Sequence, residues 1–488
     1  MKNKLINQIS ISRNDSIKKA LNAIDRGAIG IALLNNSDHT FYGLVTDGDI
    51  RRGLLSGKGL NTPVDNISRP LTVTASINTE PARLLQMISE KIRCIPLLDN
   101  TQQVVDLYIH DIRTHLPVME PLIGSKELIN VSECVLTGWI SSAGKYVKQF
   151  EKQFSDYCNV KFAVATSSGT TALHLALLSL EIGQNDEVIV PTLTFIATAN
   201  AVTYTGAKPV FVDVEPDTWT IDHSKIEQSI TGKTKAIIPV HLYGHPANMD
   251  RIHEIANKYN IYVIEDAAQA HGALYKNKRV GVIDSTTLGC FSFFGNKIIT
   301  TGEGGMVLTN RKDLYEKCCI LRDHGMTANQ RYYHKILGYN YRMTNLQAAI
   351  GVAQMDKIDS IIAKKRHIAD LYTNKLKHIS EITLPKNMSW ANNVYWLYSI
   401  LLDETISQRS KNDLIHFLEH HNIDTRPIFI PIHQQPIYDS KQSFPIAEHI
   451  ASSGFSLPSS VNLTENDINY ITDKISEFII EKKGYSVS

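Results

Sequence analysis

The chain has 488 residues, 43% hydrophobic and 20% charged, with a formal net charge of +1 at pH 7. This is the composition of a soluble globular protein of roughly two to four domains, with no electrostatic reason to expect nucleic acid or an anionic membrane as partner. No apolar run approaches the roughly 18 residues of a membrane span, and the start Met1–Gln8 lacks the apolar core of a secretory signal. The six cysteines form no Cys-x-x-Cys pair and no His/Cys cluster, so reduced cytoplasmic thiols and no metal are expected.

Residues 1–116 read as a separate unit with an internal repeat. Ser16–Ile24 has helical spacing of apolar positions, and strands at Gly30–Leu34 and Phe41–Val45 flank the turn Asn35-Asn36-Ser37-Asp38. Thr46-Asp47-Gly48-Asp49 then opens another helix. The plan recurs as helix Pro81–Lys91, strands Cys94–Leu98 and Val104–Ile109, and His110-Asp111-Ile112-Arg113. This repeat resembles a pair of CBS modules. The resemblance implies an adenine-nucleotide site on Gly43, Thr46 and Asp49, the carboxylate accepting from ribose hydroxyls. In the second half Val105 and Tyr108 stand where the glycine and threonine would be, and only Asp111 remains, so at most one good site is expected. The competing reading is a folded appendage or dimerisation module that binds nothing. Pro117–Gly124 reads as a linker.

Strands and helices then alternate. A helix near Ser125–Thr137 leads to Gly138-Trp139-Ile140-Ser141-Ser142 and a helix at Tyr146–Tyr157. Strand Phe162–Ala165 runs into Thr166-Ser167-Ser168-Gly169-Thr170-Thr171, which opens the apolar helix Ala172–Leu180. Free N–H groups at such a helix start hold a phosphate, although any N-capped helix has the same look. Strand Glu187–Val190 ends at Pro191-Thr192-Leu193-Thr194-Phe195. Strands Val210–Val212 and Ala236–Val240 and helices Ser224–Ile230 and Met249–Tyr259 continue the pattern. It predicts a mostly parallel sheet covered on both faces, with the site beyond its carboxyl edge. Strand Ile261–Ile264 ends in Glu265-Asp266-Ala267-Ala268-Gln269, and alternation turns Glu265 and Asp266 to opposite faces.

Phe291-Ser292-Phe293-Phe294-Gly295-Asn296-Lys297 follows, with Gly302-Glu303-Gly304-Gly305 close behind. An ammonium beside aromatic side chains is poorly solvated, so its pKa falls and the amine becomes nucleophilic. Such an amine forms a Schiff base with a carbonyl compound, usually pyridoxal phosphate. An acid at the ring nitrogen of that cofactor keeps it protonated, and Asp266 is placed for this role.

Gly169-Thr170-Thr171, Asp266-Ala267-Ala268-Gln269, Ser292–Gly305 and Tyr339–Thr344 together resemble the DegT/DnrJ/EryC1/StrS sugar aminotransferases over approximately residues 120–485. The resemblance implies an aspartate-aminotransferase-like α/β fold (fold type I PLP enzyme), with a large domain at 117–375 and a small α/β domain at 376–488 behind the α+β CBS pair. It implies pyridoxal 5'-phosphate bound by Thr170, Thr171, Phe195, Asp266, Gln269, Ser292 and Lys297, with Lys297 catalytic. Asn340 would reach the cofactor phosphate of a partner subunit in a homodimer with shared active sites. Trp139, Arg426 and His433 are substrate candidates, and glutamate/2-oxoglutarate the expected amino donor pair. Phe293-Phe294-Gly295-Asn296-Lys297 resembles the branch that aminates C4 of GDP-4-keto-6-deoxymannose. A UDP- or dTDP-linked 4-keto sugar, a dehydratase of the same fold (Lys297 speaks against it) and a nucleotide-sensing scaffold are the competing readings.

Overall fold

The computed structural model describes residues 2–480 apart from 28, 69–72, 81–82, 85–86, 88–91, 93, 110–114, 284–287, 328–329, 331, 408 and 439. Two compact units result: Met1–Thr114 with Gly124–Ile129, and His115–Ile123 with Asn130–Ser488.

The smaller unit carries the repeat. Ser10–Ser12 pairs in parallel with Ile31–Asn35, which pairs antiparallel with Phe41–Thr46. Ala75–Ser76, Cys94–Leu98 and Val104–Ile109 do the same. The register slips at the equivalent place in each hairpin, after Leu34 and after Leu97. Ile17, Leu21 and Ile24 share one helix face at i, i+4 and i+7 and pack on Ala32, Leu34 and Val45. The helix Lys2–Ile9 and strand Ser10–Ser12 precede the first expected element. The expected helix Pro81–Lys91 falls mostly, and Asp111 wholly, outside the described residues.

The larger unit is built on a seven-stranded sheet of β1 (Phe162–Thr166), β2 (Glu187–Pro191), β3 (Lys208–Val212), β4 (Thr234–Ile237), β5 (Tyr262–Asp266), β6 (Leu288–Ser292) and β7 (Gly305–Thr309). Their spatial order is β1-β7-β6-β5-β4-β2-β3, and only β7 runs against the others. Alternation explains why both faces are covered. Ala163, Ile189, Val263 and Phe291 point into one core, while Val164, Val190, Ile264 and Cys290 point into the other. A third core lies under a four-stranded C-terminal sheet, where Tyr372, Tyr398, Phe455 and Ile471 meet.

Three expectations change. The helix after β1 starts at Gly169 rather than Ala172, because Ser168 caps it. The stretch Asn345–His378 is two helices, Asn345–Met355 and Ile358–Leu376, and the expected helix Ser224–Ile230 is only the turn His223–Ile226 running into a 3-10 turn. Pro117–Gly124 is no free linker. Just before it the Leu116 N–H donates to Asn422 O at 2.8 Å, and within it Val118 O accepts from Ser459 N–H at 2.8 Å. No helix of the described residues is long and apolar enough to cross a membrane.

Candidate active site

Register places three residues in one row at the carboxyl edge of the sheet: Thr166 on β1 opposite Gly305 on β7, and Gly305 opposite Ser292 on β6. The helix Gly169–Ser179 begins directly against this row. A Cβ on Gly169 would fall 2.7 Å from Ser292 Cβ, and one on Gly305 would fall 2.2 Å from Ser168 O, so glycine is what permits the approach. Ser168 and Thr171 close a capping box. The Thr171 N–H donates to Ser168 Oγ at 3.2 Å, and the Ser168 N–H to Thr171 Oγ1 at 3.0 Å. The Thr171 hydroxyl is thereby held in the cap. Thr170 is half-buried, and its hydroxyl has no partner among the described residues. The first N–H groups of this helix have no intrahelical acceptor, which makes its start a seat for an anion.

β5 delivers two carboxylates with different fates. Glu265 turns to the far face and is fully held there. It accepts from the Gly281 and Ile283 N–H groups at 2.7 Å each, and faces His241 Nε2 at 3.1 Å. The Ala247 N–H donates to His241 Nδ1, which fixes the proton on Nε2 and makes that nitrogen the donor to Glu265. Asp266 is buried at the strand end, where it accepts from the Thr198 hydroxyl at 2.8 Å and the Ala268 N–H at 3.1 Å. Burial pushes its pKa up; these two bonds and the attraction of Lys297 pull it back. Gln269 is buried, and its Oε1 accepts from the Tyr243 N–H at 2.8 Å.

Lys297 follows the aromatic run, with its N–H on Phe294 O. The residue keeps some exposed surface, but its ammonium is sunk deep enough that desolvation lowers its pKa to about 7. Asp266 opposes that shift, and Arg426 adds to it. Nζ stands 3.7 Å from the centroid of the Trp396 ring. Asn296 Oδ1, one residue before the lysine, is buried without a hydrogen-bond partner among the described residues. His271 is fully buried among Phe154, Phe291 and Phe293, and burial holds its pKa down at about 3.

The remaining candidates divide. Phe195 is 54% exposed at the carboxyl side of β2, beside Phe429 at 5.8 Å, an open ring face for a planar group. Arg426 is half-buried and makes no ion pair with a described residue. Trp139 is 60% exposed, and its carbonyl accepts from Asn345 Nδ2 at 2.6 Å. Asn340 is exposed on a segment tied back by the Tyr339 N–H to Leu321 O and the Tyr341 N–H to Arg322 O. His433 does not face open space. It is buried, with Nδ1 2.7 Å from the Thr192 hydroxyl and Nε2 3.2 Å from Glu448. In the smaller unit, Thr46 and Asp49 close a capping box, the Asp49 N–H donating to Thr46 Oγ1 at 3.1 Å and the Thr46 N–H to Asp49 Oδ2 at 3.1 Å, and Arg52 bonds Asp49 Oδ1 at 2.5 Å, so the pair is occupied; Gly43 lies on the strand before it. Glu215, Asp222 and His223 lie within mutual reach, but His223 already bonds Glu215 at 2.6 Å and Asp222 caps Ser224.

The arrangement fits a phosphorylated pyridine. A helix start backed by two close-approach glycines, an exposed ring, a buried acid and a lysine depressed toward neutrality stand at one sheet edge. Sequence reasoning missed Thr198, Tyr243 and the part played by Trp396. Each comes from a separate segment and carries no local motif.

A model of the DegT/DnrJ/EryC1/StrS aminotransferase family matches residues 121–476. Similar proteins include the GDP-perosamine synthase of Escherichia coli O157:H7, 46% identical over 369 residues, covering 75% of this chain and 100% of that protein. The GDP-perosamine synthase of Caulobacter vibrioides is 45% identical over 368 residues, with 75% and 98% covered. Among solved structures, the aminotransferase from Psychrobacter cryohalolentis superposes with a TM-score of 0.70 at 31% identity, covering 74% of this chain and 98% of that one. A candidate sugar aminotransferase from Streptococcus pneumoniae in its PLP form gives 0.70 at 28% identity, with 75% and 99% covered.

Proposed function

The chain belongs to the DegT/DnrJ/EryC1/StrS aminotransferase family, and we propose that it transfers the amino group of glutamate to C4 of GDP-4-keto-6-deoxymannose, giving GDP-perosamine for a surface polysaccharide. It is a PLP-dependent sugar aminotransferase. The observation that carries the substrate is similarity over the whole length of proteins of that activity, 75% of this chain, with Lys297 and Asp266 in place.

Pyridoxal phosphate supplies the electron sink that stabilises negative charge at the reacting carbon. Lys297 would tether it and, as the free amine, would take and return the proton at the substrate carbon. A pKa near 7 suits both directions of that transfer. Asp266, oriented by Thr198, would hold the proton on the ring nitrogen. The N–H groups at the start of the Gly169–Ser179 helix, with Thr170 and Ser292, would hold the phosphate; Thr171 acts through the cap. Phe195 would cover the bound cofactor and Gln269 would hold its edge. Arg426 takes an anionic substrate group and Trp139 lines the sugar entry. Asn340 serves the partner subunit of a homodimer.

The smaller unit is read as a CBS-domain pair, which its matched hairpin registers support. An adenine nucleotide there has to displace Arg52 from Asp49. A cytoplasmic location follows from the substrates.

Amino transfer from glutamate to the GDP-linked 4-keto sugar, beside UDP- and dTDP-linked ones and with Lys297→Ala as control, tests the proposal. Product from the GDP sugar alone, absent in the variant, is expected. Product from another sugar keeps the chemistry and overturns the substrate.

A further inference from the structure

Trp396 is held at its indole N–H, its carbonyl and its ring. Its indole Nε1–H donates to Asn296 O at 2.7 Å, the carbonyl just before the lysine. Its own carbonyl accepts from the buried Lys365 ammonium at 2.7 Å, and that ammonium also bonds Ser459 O. Its ring lies nearly parallel to Tyr243, 6.1 Å away at 18°, and Tyr243 is bonded through its N–H to Gln269. These contacts hold the ring in this orientation, and the face it presents carries the Lys297 ammonium at 3.7 Å.

Transamination frees and re-engages one lysine in every cycle, so the free amine needs a resting place. A carboxylate would hold it by a strong charge-assisted bond and favour the ammonium over the base. An aromatic face attracts the ammonium through its quadrupole but offers no lone pair to the neutral amine, so its hold ends when the proton leaves. We propose that Trp396 is a positioning residue, the resting site of the Lys297 ammonium while the lysine is free of the cofactor and still protonated. This rests on the assignment of Lys297 above. The charged and titratable groups that face Lys297 are Asp266, Arg426 and His271. None of them stands in the place of the ring.

The test uses the full chain loaded with pyridoxamine phosphate, the form in which Lys297 is free. Trace labelling with acetic anhydride from about pH 5 to about pH 11, read peptide by peptide by mass spectrometry, gives the titration midpoint of each lysine. Removing the ring face removes a preference for the ammonium. The midpoint of Lys297 in Trp396→Leu is therefore expected to fall by ~0.5–1.5 pH units. Trp396→Phe, which keeps a face but not the bond to Asn296, falls less. Fluorotryptophan at all four tryptophans weakens the quadrupole without changing shape, lowers the midpoint in the same direction, and decides the matter if the leucine variant does not fold. An unchanged or raised midpoint, or equal shifts in the leucine and phenylalanine variants, overturns the proposal. A chain that takes up no pyridoxamine phosphate, or shows no amino transfer while the midpoint still follows the ring, overturns the function instead.

Discussion

Lys297 and Lys365 meet the same tryptophan, one at its ring and one at its carbonyl. Burial lowers both to about 7. The difference lies in what surrounds each ammonium. Lys365, 2% exposed, donates to two backbone carbonyls that join the Ile358–Leu376 helix to the segments at Trp396 and Ser459. Lys297 has no hydrogen-bond acceptor among the described residues; a ring, a buried acid and an unpaired guanidinium surround it. A depressed lysine is therefore not by itself a sign of catalysis. One whose protons go to two backbone carbonyls and a thioether sulfur is a clasp, whereas one set against a ring and beside a buried acid, with no hydrogen-bond acceptor among the described residues, is free to react.

The comparison can be broken by substitution. Lys297→Ala is expected to lower amino transfer by about 10³-fold or more while leaving thermal unfolding near that of the parent, read by steady-state kinetics beside calorimetry. Asp266→Asn removes the ring-nitrogen acid and is expected to cost about 10²–10³-fold in kcat. Glu265→Gln, whose carboxylate binds only the far loop and His241, should show its effect in the melting temperature instead. If Glu265→Gln were the more damaging to kcat, the assignment of faces on β5 would be wrong.

Lys365→Met reverses the pattern. Two carbonyls lose their donor, so a loss of about 2–3 kcal/mol in denaturant unfolding is expected, with kcat changed far less than by Lys297→Ala. Its pH dependence sharpens the point. Between about 7 and the ordinary lysine value of 10.5 the unfolded chain binds a proton at this residue that the folded chain does not. The contribution of Lys365 to stability therefore rises with pH across that window, and the gap between parent and Lys365→Met should widen from its lower to its upper end. A gap that narrows would mean that the carbonyls keep this ammonium charged. The smallest effect is expected of Thr198→Val, about tenfold in kcat, through loss of the bond that orients Asp266.

Much of this was legible in the chain itself. Periodicity marked the strands of the central sheet, since a sheet buried on both faces needs near-continuous apolar runs. Alternation along β5 separated Glu265 from Asp266 before any contact was known. The glycines at 169 and 305 and the lysine after three phenylalanines are local signals, because each answers a need of the backbone or of solvation at its own position. The two-helix break after Met355 and the Gly169 helix start were not legible, because caps and packing shift boundaries by a few residues. His433 looked like a pocket histidine. Its burial depends on Thr192 and Glu448, which lie far from it or on another element.

By itself the sequence determined the alternation, the phosphate cradle, the acid at the strand end and the lysine, all set within a few residues of chain. Tertiary structure alone decided which of two depressed lysines is free and which ring stands over the amine. Those outcomes depend on groups brought together from distant segments, and a side chain's hydrogen bonds, desolvation and ring contacts exist only once the packing is complete.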